Sequence, residues 1–71
     1  MTDPNNDITV KMARIGANLT QQEVADAMGV HVQTYSQMER HPEKMSIEEA
    51  ISFGRIVGRD WTTISYGSNS N

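Results

Sequence analysis

The sequence predicts a compact all-α domain of five short helices. Three observations carry that reading. Apolar residues recur at three- and four-residue spacing through the middle of the 71-residue chain. Two S/T-x-x-E patterns, Thr20 with Glu23 and Ser46 with Glu49, have the form of capping boxes that open helices. Asn18, Gly29 and Gly58 stand where those helices must end, and each residue type tolerates the left-handed backbone of a helix exit. No β-alternation, internal repeat or heptad run competes with this pattern.

Residues 1–6 are polar, contain Pro4 and lack periodic apolar positions, so they read as a disordered tail. The domain is expected over 7–66. Ile8, Met12 and Ile15 recur at helical spacing and set helix 1 from about Asp7 to Ala17. Thr20 opens helix 2, with Val24, Ala25 and Met28 facing inward, and Gly29 supplies the positive φ of the following turn. Helix 3 runs from about Val32 to Arg40. Tyr35 and Met38 lie on its inner face; Val32, Gln33, Ser36 and Gln37 lie on its outer one.

His41-Pro42-Glu43-Lys44-Met45 reads as a loop, with His41 expected in a left-handed position. Ser46 opens helix 4, from Ile47 to about Val57, with an inner stripe of Ile47, Ala50, Ile51, Gly54 and Val57 flanked by Phe53. Asp60 can cap a last short helix carrying Trp61 and Ile64. From Gly67 the tail 67–71 is flexible by composition. The two helices over 20–40, joined by a tight turn at Gly29, have the layout of a helix-turn-helix, whose second helix enters the DNA major groove.

Composition removes several function classes. The chain is long enough for one small domain, and folding buries only about 60% of the surface at this size. There is no cysteine, which excludes disulfides and thiolate zinc sites. His31 and His41 are too few for a metal cage, so no metal and no cofactor are expected. Nothing approaches the roughly 18 apolar residues of a membrane span. The first residues have neither a basic n-region nor an apolar h-region, so they do not read as a signal peptide. A soluble, cytoplasmic protein is expected, in the host cell if it is phage-encoded. No Ser-His-Asp arrangement or phosphate-binding glycine loop points to an enzyme; His31 reads as a turn residue or cap.

The net charge of −3, from six bases against nine acids, is unusual for a DNA binder. Arg40 and Lys44 are the best phosphate candidates. Arg55 and Arg59 lie late on helix 4.

The chain resembles the Cro/repressor-type (XRE-like) helix-turn-helix family of phage and bacterial regulators. The resemblance rests on Arg14, Leu19-Thr20-Gln21-Gln22-Glu23-Val24-Ala25, Gly29-Val30, Thr34-Tyr35-Ser36, Glu39-Arg40, Ser46 and Gly58, and covers roughly residues 8–64. It implies a compact lambda-repressor-like DNA-binding domain. It implies a structural ion pair between Arg14 and Glu39. It places Gln21 at a DNA phosphate, and Val32, Gln33, Ser36 and Gln37 at the groove. The chemistry suits those positions: Gln can donate and accept on the adenine edge, and Val can pack on a thymine methyl. The sequence departs from the family at His41, where Gly is common, and at Glu43, where a phosphate-facing group is expected.

Two functions follow. One is a sequence-specific regulator on double-stranded operator DNA, working as a homodimer. The other is a protein-binding antirepressor that grips a phage repressor, as in a temperate-phage modulator of repression; Val32, Tyr35 and Met38 would then dock on the partner unless they are core. Trp61 and Ile64 likewise have two readings, a lid over the core or a dimer or partner contact.

Overall fold

The computed structural model describes residues 8–67. Four α-helices follow in order: α1 (Val10–Gly16), α2 (Gln21–Met28), α3 (Val32–Arg40) and α4 (Ile47–Val57). Pro42–Lys44 and Trp61–Thr63 form single 3-10 turns. The expected fifth helix is therefore one 3-10 turn, with Ile64 just beyond it. Asp60 starts that turn, its carboxylate accepting from the Thr62 amide at 3.0 Å and the Thr62 hydroxyl at 2.8 Å. The tails at 1–6 and 68–71 and the predicted helix start at Asp7 lie outside the described residues.

Local chemistry sets the helix ends. Thr9 caps α1 by accepting from the Met12 amide, so α1 begins three residues later than the apolar spacing suggests. Both capping boxes close reciprocally, Thr20 with Glu23 at 2.8 and 3.0 Å and Ser46 with Glu49 at 2.9 and 3.0 Å. Asn18 (φ 64°) and Gly29 (φ 75°) take left-handed exits. His31 occupies the N-cap position of α3 without a side-chain capping bond. His41 does not take a left-handed position: its φ of −133° is reached because Pro42 follows and biases the preceding residue toward extended backbone.

The core gathers Val10, Ala13, Val24, Ala25, Tyr35, Met38, Phe53 and Ile64. Tyr35 and Phe53 are fully buried and offset-stacked, with ring centroids 6.2 Å apart. Burying one such ring contributes about 1.5–3 kcal/mol. Phe53 is thus a centre of the core rather than a flank of the α4 stripe. Ile47, assigned to that stripe, is 65% exposed at the first turn of α4. Met12 and Ile15 are also exposed, because α1 packs through Val10 and the small Ala13. Gly54 is buried where the chain returns: a Cβ there would stand 2.7 Å from the Arg59 carbonyl oxygen. A parallel bridge between Thr9 and Ser65, with Ser65 N donating to Ile8 O at 2.7 Å, ties the last described residues to the first.

Candidate nucleic-acid interface

The two helices over 20–40 are fixed by one carboxylate. Glu39, near the end of α3, accepts from Arg14 Nε of α1 and from Tyr35 Oη at 2.7 Å on one oxygen. Its other oxygen accepts from Gln21 Nε2 of α2 at 2.9 Å. Arg14 also donates Nη1 to the Leu19 carbonyl at 2.9 Å, holding the α1–α2 connection. The Glu39 and Arg14 side chains are only 6% and 12% exposed.

Burial alone would raise the Glu39 pKa, but the bonds from Arg14, Tyr35 and Gln21 outweigh it and hold the group below its ordinary value. The Glu39 bond raises Arg14. Tyr35 is raised well beyond its ordinary range by burial and by the bond to Glu39. The pair therefore stays charged and the phenol stays protonated at neutral pH.

With Tyr35 and Met38 turned into the core, α3 presents the opposite arc. Gln33, Thr34, Ser36, Gln37 and Arg40 line one shallow groove along it. Thr34 and Gln37 also border a second groove with His41, Lys44 and Glu49. Gln33, Gln37, Arg40 and Lys44 are exposed, and Ser36 is half-buried. The structure thus brings Gln33, Ser36, Gln37 and Arg40 together and joins Lys44 to them through Gln37.

Val32 and Gln21 border neither groove. Val32 is half-buried against the core, not on the free outer face. Gln21 is half-buried and engaged with Glu39, leaving its carbonyl oxygen and one amide hydrogen for another contact. Thr34 was not among the expected groove residues. Its three-residue spacing from Gln37 puts both on one face and is the signal that identifies it.

The family model described as Helix-turn-helix matches residues 10–55, which run from the start of α1 almost to the end of α4. The chain belongs to the helix-turn-helix family. It is a DNA-binding transcription regulator by that membership, and its ligand class is double-stranded DNA. The family is not generally enzymatic. No curated protein and no solved structure gives a match.

Within this helix-turn-helix domain, acidic groups stand close to the exposed α3 face. His41 Nδ1 lies 3.5 Å from Glu43 Oε2, in the segment that also carries Lys44. Glu43 occupies an exposed place on the 3-10 turn and adds negative charge next to Lys44 in the chain. Arg55 and Arg59 border other grooves, Arg55 with Glu48 and Arg59 with Asp60. Trp61 is half-buried, its Cβ in the space a Gly54 side chain would need, and Ile64 is 5% exposed within the core. Among the described residues no helix is long and apolar enough to cross a membrane.

Proposed function

We infer that the chain is a small regulator of a phage-type genetic switch that reads operator DNA through α3. The observation that carries this is the exposed row Gln33, Thr34, Gln37 and Arg40 on a helix whose opposite side is locked into the core. In this reading Gln33 and Gln37 meet base edges and Ser36 makes a shallower contact. Val32 reaches a thymine methyl with the part of its side chain that remains exposed. Arg40 and Lys44 meet phosphates, and Gln21 offers its remaining amide hydrogen to a phosphate at the start of α2.

So few cations per subunit give modest affinity and a shallow salt slope. The net charge of −3 and the position of Glu43 favour a second reading in which the chain acts with, or against, a cognate phage repressor protein. The burial of Tyr35 and Met38 takes both side chains out of any such contact.

Titration of labelled operator DNA at low and moderate salt, with and without the repressor, tests both. Binding at low salt by the chain alone supports direct readout. Absence of binding in both conditions refutes it. Co-elution with the repressor supports the second reading, and separate elution at micromolar concentration removes it.

A further inference from the structure

His41 stands where α3 meets the 3-10 turn, and the functional reading has so far given it no part. Its side chain is half exposed. It borders one groove with Thr34, Gln37, Lys44 and Glu49. Thr34 and Gln37 also line the groove that runs along α3 to Arg40. His41 therefore shares a surface with the two cations assigned to phosphate.

The charges around it balance. Arg40 precedes it on α3, Glu43 and Lys44 follow on the turn, and Glu49 borders the groove from α4. The Glu49 carboxylate is engaged, accepting from the Ser46 amide at 2.9 Å. Glu43 is the acid at ion-pair distance, with Oε2 3.5 Å from His41 Nδ1. Other bases bring no help here. Arg14 is bound to Glu39, and Arg55 and Arg59 border different grooves. One added positive charge on this surface is a large fractional change.

Imidazole chemistry supplies that charge under one condition. A neutral ring has one N–H and one bare nitrogen, whereas the cation has two N–H donors. Beside a carboxylate the neutral ring keeps its hydrogen on Nδ1, so Nε2 is an acceptor and repels a phosphate oxygen. Protonation changes both sides of the ring. Nδ1–H and Glu43 become an ion pair, which offsets the carboxylate charge, and Nε2 gains a hydrogen to donate. Histidine is the side chain suited to this change between about pH 5 and 8.

We propose that His41 is a further phosphate-binding residue of the α3 surface and acts only as the imidazolium, with Glu43 on Nδ1 and a DNA phosphate on Nε2. Binding of DNA then takes up a proton. Glu43, which opposes phosphate while the ring is neutral, orients the ring once it is charged. The two departures from the family at His41 and Glu43 are in this way one device. The proposal rests on the DNA reading of α3.

Fluorescence anisotropy with a labelled mixed-sequence DNA duplex at low salt, between about pH 7.5 and 5.5, tests it. That window lies above the range in which Glu39 takes a proton, so the fold is the same across it. The wild-type chain should bind about fivefold to tenfold more tightly at the lower pH. Its salt slope should also steepen there by about 0.9, the mark of one more phosphate contact. The chain has two histidines, and His31, exposed at the N-cap of α3, provides the control. H41Q should lose both changes and H31Q should keep both. H41K should show the steeper slope at either pH.

Equal affinity and slope at both pH values overturn the proposal and leave the DNA reading standing. Absence of binding at either pH removes both. A pH dependence lost in H31Q and kept in H41Q also overturns it. The wild-type chain gives an independent check: NMR of the His41 ring should show the proton held to higher pH on DNA than in the free chain, and an unchanged titration overturns the contact.

Discussion

Gln21 donates its side-chain amide to Glu39 across 2.9 Å, linking the first residue of α2 to the last turn of α3. The residue placed at the DNA backbone by resemblance is thus also a strut between the two helices. The same carboxylate holds Arg14 and Tyr35, so the orientation of α3 depends on one acceptor shared by donors from three helices. A phosphate that pulled on Gln21 would act on the support of the recognition surface itself.

Loss of that acceptor should be costly. In Glu39→Ala, Arg14 keeps a mostly buried charge without its counter-ion and the buried Tyr35 hydroxyl loses its acceptor. Removing one member of a buried pair costs about 3–5 kcal/mol. At about 4–8 °C per kcal/mol for a domain of this size, Tm should fall by more than about 10 °C. Thermal denaturation followed by circular dichroism measures it, and an unchanged Tm would remove the carboxylate as a structural centre.

The same group makes stability depend on acid. Its folded pKa lies below its ordinary value of 4.5, so the folded state binds fewer protons than the unfolded chain in that window. The stabilisation is complete above the ordinary carboxylate range and is lost as pH falls through the lower, folded value. Asp60, held down by its bonds from Thr62, acts in the same direction from an exposed position. Urea titrations between neutral and strongly acidic pH should show stability falling with acid, and Glu39→Gln should flatten that fall while leaving the smaller Asp60 contribution. A variant with the wild-type acid slope would contradict the assignment.

Gly54 is set by the close return of the chain. Gly54→Ala improves helix propensity by about 1 kcal/mol. The new methyl would stand 2.7 Å from the Arg59 carbonyl oxygen and 3.0 Å from Trp61 Cβ, and relieving such overpacking costs about 1–3 kcal/mol. The backbone contact gives little, so the balance is destabilising. A lower denaturation midpoint is expected; a higher one would mean that the 59–61 segment moves aside freely.

On DNA, the exposed α3 residues should separate by role. Lys44→Ala should weaken binding about equally for all sequences and reduce the salt slope by about 0.9. Gln33→Ala should leave the slope alone and lower discrimination between operator variants by about 1–3 kcal/mol. Fluorescence anisotropy across a salt series with two operator variants reads both effects. Identical slopes for Lys44→Ala and wild type would remove Lys44 from the phosphate contacts.

What could be read from the sequence is what depends on neighbours in the chain. Thr20 with Glu23 and Ser46 with Glu49 close their own boxes within three residues, and Asn18 and Gly29 set their own backbone. The choice of buried face is different, because distant segments make it. Met12 and Ile15 form an apolar row that the described residues leave about half exposed, while Val10 and Ala13 meet the core because their side of α1 faces α3 and α4. Ile47 is left outside for the same reason. At the candidate interface, the polar arc of α3 follows from spacing once Tyr35 and Met38 are set inward. The engagement of Gln21 with Glu39 spans 18 residues and has no local sign. The Tyr35–Glu39 bond, at four-residue spacing on one helix, did have one.

The bond from Ser65 to Ile8 has a topological consequence. The chain enters and leaves the folded unit at the same corner, so its path is almost a closed ring. A short linker between these two points would complete that ring, and the domain could then be opened at an exposed turn such as Gly58 without changing the order in which its helices pack.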